Sequence, residues 1–139
     1  MQQQKGFSLI EIMVVVVILG ILASIVVPKL MSRPDEARVV KAKQDVLALQ
    51  NAVELYKLDN GFYPTTDQGL NALVEKPQSS PMPNNWKSYL KSLPKDPWGR
   101  DYMYLIPGAH GDFDVYSLGA DGEEGGTGIN ADIGNWDEK

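Results

Sequence analysis

Glu11 is the only charged residue in the stretch 7–27, which is otherwise apolar apart from Ser8 and Ser24. A carboxylate inside such a run costs roughly 2.5–3.5 kcal/mol at mid-membrane and less toward the interface, so it needs a partner or a role. So close to one end it could simply snorkel to the interface. The sharper reading pairs it with a cation. Were the chain cut between Gly6 and Phe7, the new α-amine of Phe7 would stand four residues from Glu11. At that spacing the amine could meet its own or a neighbour's carboxylate as spans pack side by side. The second group of chemically capable residues lies at the other end. Asp112, Asp114, Asp121, Glu123, Glu124, Asp132, Asp137 and Glu138 face one cation, Lys139, in a glycine-rich stretch. By composition such a tail stays solvated and disordered unless a cation collapses it, although Ile129, Ile133 and Trp136 could pin it to a sheet. Hard oxygen donors on a flexible loop suit Ca²⁺, which accepts six to eight of them. The order Asp121-Gly122-Glu123-Glu124-Gly125 does not match an EF-hand loop. His110 stands in a turn with no nucleophile or carboxylate cluster in reach, which makes it a surface residue rather than a catalyst. There is no Gly-x-Ser-x-Gly, phosphate loop or His-Glu-x-x-His, so the chain reads as a non-enzyme.

The elements that must position these groups are set by periodicity. Residues 7–27 are long enough, at 1.5 Å of rise each, to cross a bilayer as a helix, and in lipid the backbone must satisfy its own hydrogen bonds despite the β-branched run 14–17. Pro28 should kink or end that helix. Pro34, with Asp35 and Glu36, suits a fresh helical start. From there Val39, Ala42, Val46, Leu49, Val53 and Tyr56, widened by Ala52 and Leu55, form one apolar stripe, with Lys41, Gln44, Asp45, Gln50 and Glu54 opposite. Asp59-Asn60-Gly61 stops the helix. Thr65 to Gln68 has the spacing of a capping box opening a short helix through Leu70, Leu73 and Val74, closed by Pro77. A loop comes next at 78–85, then a turn of helix at 86–93, and a reversal at 94–99 in which Trp98 anchors the core. Residues 102–106 and 113–118 alternate as two strands of an antiparallel hairpin resting on the stripe.

Composition bounds the function. The 139 residues allow one anchored domain. A net charge of −5 and a pI near 4.8, without a dense basic tract, exclude nucleic acid as a partner. The absence of cysteine removes thiolate metal sites, cysteine nucleophiles and disulfides together. The leader 1–6 is short, polar and basic through Lys5, and no Ala-x-Ala pattern comes after Val27, so the apolar run is retained rather than removed with a signal peptide. The positive-inside rule does not orient it: Lys5 and the amine stand on one side, Lys29, Arg33, Arg38 and Lys41 on the other, diluted by Asp35 and Glu36.

Lys5-Gly6-Phe7-Ser8-Leu9-Ile10-Glu11 ahead of the unbroken apolar run resembles the processing site of type IV pilin-like proteins. Within that superfamily the segments Tyr56-Lys-Leu-Asp-Asn60, Tyr63-Pro-Thr-Thr-Asp-Gln-Gly-Leu70, Leu93-Pro-Lys-Asp-Pro-Trp-Gly99, Tyr116-Ser-Leu-Gly-Ala-Asp-Gly122 and Ala131-Asp-Ile-Gly-Asn-Trp136 are similar to the major pseudopilins of type II secretion systems. The likeness covers essentially the whole chain. Major type IV pilins usually carry a C-terminal disulfide loop, which this chain cannot form.

The resemblance implies an α+β fold: a long N-terminal helix, half transmembrane and half amphipathic, on a small antiparallel sheet, with a calcium-binding C-terminal loop. It implies a leader 1–6 cut after Gly6, a methylated Phe7, a span 7–30 in which Glu11 serves assembly, and a periplasmic domain 31–139. A structural Ca²⁺ would be held by Asp121, Asp132 and the Leu118 carbonyl, with Asn130 as a further ligand and Glu123 and Glu124 facing solvent. The implied role is a subunit of a homopolymeric filament, with a prepilin peptidase, an inner-membrane platform, minor pseudopilins and inner-membrane lipid as partners. A type IV pilus subunit and a non-polymerising, membrane-anchored calcium module are the other two readings open to the residues.

Overall fold

The computed structural model describes residues 3–137, the side chains of 27–32 excepted. It divides into two compact units, Met1–Glu36 and Ala37–Lys139. Helix α1 spans Leu9–Asn60 and belongs to both. In the first unit its stretch Leu9–Val26 has a mean hydropathy of 3.0 and buries none of its residues, as a lipid-facing span would. Pro34 lies inside the helical run instead of opening a second helix, because one proline forfeits a single donor and the ladder resumes beyond it. Nor does the helix end at Pro28, which lies within the same unbroken run.

In the second unit α1 presents Ala42, Val46, Leu49, Ala52, Val53 and Tyr56 to the interior. Leu55, expected in that stripe, is 52% exposed: at 100° per residue it lies off the face that Leu49, Val53 and Tyr56 share. Asn60 and Gly61 end the helix as expected. The Asn60 amide donates to the Tyr56 carbonyl, and Gly61, at φ 85°, donates its N–H to the Lys57 carbonyl.

The Thr65–Gln68 capping box forms in both directions, each backbone N–H donating to the other side chain at 3.1 Å. Beyond the box the chain makes a 3-10 turn over Leu70–Leu73 and not an α-helix, since Gly69 at φ 61° breaks the run before it can extend. No helix forms at 86–93. There the N–H groups of Tyr89 and Leu90 both donate to the Leu73 carbonyl, and the Trp86 indole donates to Ala72, so the segment spends its donors on a neighbour.

The sheet has three antiparallel strands in the order β1 (Met103–Leu105), β2 (Asp114–Ser117), β3 (Ile133–Gly134). Met103 pairs with Tyr116, and Ser117 with Ile133. The tail thus supplies a strand, pinned by buried Ile133 and by Asn135, which exchanges hydrogen bonds with Val115 and Phe113. Val46, Leu49, Val53 and Tyr56 share one core with Leu70, Leu73, Tyr102, Phe113 and Val115, rimmed by Phe62, Tyr63, Trp86 and Tyr104.

Candidate functional site

In the first unit the Gly6–Phe7 bond lies in non-helical backbone just ahead of α1. Gly6 has open space around it and Phe7 is 85% exposed, so the bond is accessible to a peptidase. Ser8 and Glu11 form a capping box that sequence reasoning missed. The Ser8 N–H donates to Glu11 Oε2 at 3.0 Å, and the Glu11 N–H donates to Ser8 Oγ at 3.3 Å. The Ser-x-x-Glu spacing is the signal that could have found it, but inside an apolar run the acid's cost in the membrane overshadows its value as a cap. In the uncut chain Glu11 already satisfies a donor at the helix start, and among the described residues its Oε1 accepts no hydrogen bond.

In the second unit the C-terminal loop is ordered from both ends. The Ala120 N–H donates to the Ile129 carbonyl at 2.9 Å, and Gly125 donates to Asp132 Oδ2 at 3.1 Å. Gly119, at φ 75°, permits the closure: a Cβ there would stand 2.8 Å from the Ala131 carbonyl and 3.0 Å from that of Asn130. The backbone beside Leu118 therefore lies against Asn130 and Ala131, one residue from Asp132. Asp121 stays exposed, its Oδ1 accepting the Glu123 N–H at 3.1 Å. Among the described residues no three His, Asp or Glu side chains are grouped to hold a metal, so an ion here would depend on backbone carbonyls as well. Asp132 Oδ1 is buried and has no hydrogen-bond partner, the condition a bound cation would relieve. Oxygen donors with one orphaned carboxylate oxygen fit Ca²⁺ in kind.

Two buried carboxylates to which sequence reasoning gave no structural role hold the neighbouring turns. Asp96, 4% exposed, accepts the Trp98 and Arg100 N–H groups on Oδ1 at 3.0 and 2.8 Å, and the Ser117 hydroxyl on Oδ2 at 2.9 Å. Ser117 Oγ in turn accepts the Gly119 N–H, and the Arg100 guanidinium donates to the Gly119 and Ala120 carbonyls. Asp96 is the anchor of the 94–99 reversal; Trp98 is only half-buried and stands outside the core cluster. Asp114 accepts the Ala109 and His110 N–H groups and closes the hairpin. His110 is not isolated. Its Nδ1 lies 3.0 Å from Asp114 Oδ2, and its ring stacks on Trp136 with centroids 3.8 Å apart and planes 15° apart. That stack fastens the hairpin to the end of the loop.

The protein-family model "Type II secretion system (T2SS), protein G" matches residues 29–136. The chain belongs to that family. The model "Prokaryotic N-terminal methylation motif" matches residues 1–27, and with the one membrane-length apolar helix among the described residues it gives membrane anchoring through one span. Within the family, the chain is 64% identical to type II secretion system core protein G of Pseudomonas aeruginosa, over 98% of this chain and 97% of that one. It is 61% identical to the protein of the same name from Vibrio cholerae, over 98% and 94%. The crystal structure of the major pseudopilin from the type 2 secretion system of enterohaemorrhagic Escherichia coli superposes with a TM-score of 0.70 at 46% identity, covering 79% of this chain and 92% of that one. The long helix and small antiparallel sheet expected from the sequence are the fold of this family.

Proposed function

We propose that the chain is made as a single-pass precursor of the inner membrane with Lys5 cytoplasmic and the C-terminal domain periplasmic, is cut after Gly6, and polymerises into the type II secretion pseudopilus. The observation that carries this reading is the adjacency of the two family matches, a methylation motif over 1–27 and protein G over 29–136. A prepilin peptidase cuts, an inner-membrane platform and minor pseudopilins organise assembly, and the filament supports export of folded proteins through the outer membrane. Apolar area gives little drive between helices in lipid, so packing and polar pairs set the register there. Glu11 holds the helix start before cleavage. After it, the carboxylate can also take the Phe7 amine, from its own chain or a neighbour.

Calcium belongs to the same reading, as a structural ion held by the Leu118 carbonyl, Asp121, Asn130 and Asp132. The orphaned Asp132 oxygen supports it. Bound there, the ion would supply charge neutralisation to the acidic loop and stabilise the fold by mass action.

The intact mass of the membrane-extracted protein tests processing directly: loss of 1–6 and addition of one methyl are expected, and an uncut mass overturns the proposal. Glu11→Gln separates the two roles of the acid, because an amide still caps but carries no charge. Glu11→Gln is expected to insert but polymerise poorly, and normal filaments from it would assign Glu11 to capping alone.

A further inference from the structure

Two dipeptides in the chain can close on themselves chemically, Asn60-Gly61 and Asp121-Gly122, each the one pair of its kind in the sequence. In both, the glycine amide nitrogen can attack the side-chain carbonyl carbon before it, because glycine has no Cβ to hinder the approach and turns easily into the backbone conformation that ring closure needs. In an unstructured chain Asn-Gly reacts faster than Asp-Gly, since ammonia leaves an amide more readily than water leaves a carboxyl group that is mostly ionised. The fold reverses that order. Asn60 ends α1 with three side-chain hydrogen bonds: Nδ2 donates to the Tyr56 carbonyl at 2.9 Å and to the Tyr89 hydroxyl at 3.1 Å, and Oδ1 accepts the Asn85 N–H at 2.9 Å. The Gly61 N–H that would attack is held by the Lys57 carbonyl at 2.7 Å. Asp121 is exposed, and its Oδ1 accepts the Glu123 N–H at 3.1 Å, which folds the carboxyl group back over the Gly122 peptide. Among the described residues the Gly122 N–H has no acceptor. The Arg100 guanidinium stands beside it: a Cβ on Gly122 would be 2.6 Å from Cζ. A positive charge there stabilises the negative charge that builds on the nitrogen as its proton leaves.

We propose that Asp121 is a site of spontaneous isomerisation to isoaspartate in the folded chain, whereas Asn60 is protected from the corresponding deamidation. The Gly122 nitrogen bonds to Asp121 Cγ, the carboxyl OH leaves with the amide proton as water, and a five-membered imide results. Water then adds to the main-chain carbonyl of Asp121 and breaks its bond to nitrogen. The chain now runs on through Cγ, and the former main-chain carbonyl is the free carboxylate. Composition is unchanged, but the backbone is one carbon longer and the carboxylate one carbon closer to it. The loop is fixed on either side of this point: Arg100 holds the Gly119 and Ala120 carbonyls, and Asp132 accepts the Gly125 N–H. An extra carbon between these anchors displaces the carboxylate that the calcium reading uses, so modification disables the ion site; this consequence rests on that reading, and the modification itself does not.

The test ages the full-length chain in detergent micelles at neutral pH, with chelator present so that no cation competes for Asp121, beside the same chain unfolded in guanidinium. Isoaspartate is quantified by methyl transfer from an isoaspartyl methyltransferase and located by fragmentation mass spectrometry. In the folded chain isoaspartate is expected at position 121, at a rate within about threefold of that in the unfolded chain, since the site needs no opening to react. Asn60 is expected to deamidate on the order of a hundredfold more slowly folded than unfolded, because its hydrogen bonds must break together before the ring closes. Asp121→Glu, whose ring would be one atom larger, is expected to remove the signal. Deamidation of Asn60 ahead of Asp121 in the folded chain, an unmodified position 121, or a signal that survives in Asp121→Glu overturns the proposal. The calcium consequence is read separately, from the melting temperatures of fresh chain and of the isoaspartyl fraction, each with calcium and with chelator. Fresh chain is expected to respond to chelator and the isoaspartyl fraction is not. Equal sensitivity in both overturns the consequence, and fresh chain indifferent to chelator overturns the calcium reading while the isomerisation stands.

Discussion

Asp96→Ala removes one acceptor group from three donors at once: the N–H groups of Trp98 and Arg100 and the hydroxyl of Ser117. Hydrogen bonds to a charged group contribute about 1.5–3 kcal/mol each, which for three taken alone would give a loss of about 4.5–9 kcal/mol. Two effects reduce it. The carboxylate no longer has to be desolvated, a saving of several kcal/mol for a group 4% exposed. Arg100 is exposed and Trp98 half-buried, so water can reach the freed N–H groups. The expected net cost is about 3–4 kcal/mol, a large share of a small domain's stability. Asp96→Asn keeps an oxygen for both N–H groups and mainly disturbs the Ser117 contact, at about 1–2 kcal/mol. Urea unfolding of the full chain in detergent micelles, monitored by tryptophan fluorescence, reads this unit alone, because Trp86, Trp98 and Trp136 all lie within it. The Arg100 and Ser117 contacts to 119–120 should loosen with it, so the loop's amide protection should fall as well. A cost below about 1 kcal/mol for Asp96→Ala, or an Asn variant as damaging as the Ala, would refute the claim that this carboxylate anchors the turn.

The same geometry fixes three further outcomes. The Tyr56 hydroxyl is fully buried without a partner among the described residues, so Tyr56→Phe should raise stability by about 1 kcal/mol in the same unfolding assay; a loss instead would place an ordered water on that hydroxyl. Burial pushes the Tyr102 and Tyr104 phenols well above the ordinary value of 10.0, helped for Tyr102 by its hydrogen bond to Asp45 and the charge there. Above about pH 10 the unfolded chain binds fewer protons than the folded one, so stability should be level below that pH and fall above it by up to about 1.4 kcal/mol per unit for each phenol. Tyr102→Phe should flatten the slope, and an unchanged slope would clear that residue of the effect. Chelation of calcium should lower the melting temperature of the wild-type chain, by an amount corresponding to about 2.7 kcal/mol if calcium had been at a hundred times its Kd, and should do much less to Asp132→Ala. A wild-type melting curve indifferent to chelator would remove the structural ion.

The apolar span, the inward stripe from Ala42 to Tyr56, the Gly61 stop and the hairpin were all legible in the sequence, because each depends on neighbours three, four or two residues away; that span and stripe form one helix through Pro28 and Pro34 was not. The Lys5-to-Glu11 motif was legible for the same reason and led to the pilin-like superfamily, within which the segments from Tyr56 to Trp136 led to the right family. What failed was of two kinds. Where local propensity competed with distant partners, the partners won: Leu73 and Ala72 took the donors that a helix at 86–93 would have needed, and Gly69 cut the helix after the Thr65–Gln68 box short. Where one residue type could serve two roles, only the fold chose between them. Asp96 was given no role of its own and Asp114 was counted with the acids of the tail, yet the chain's reversals bury them against backbone N–H groups. His110 read as isolated, yet closure of the loop lays Trp136 on its ring. The line of exposed apolar side chains Val40, Leu47 and Leu58 on α1 is a case of both. Its spacing is written in the sequence, but that it faces away from the core was decided by which side of α1 the sheet and Tyr102 cover. Short-range spacing sets what a helix or turn can be, and contacts between residues far apart in the chain decide which of its faces and which of its acids are put to use.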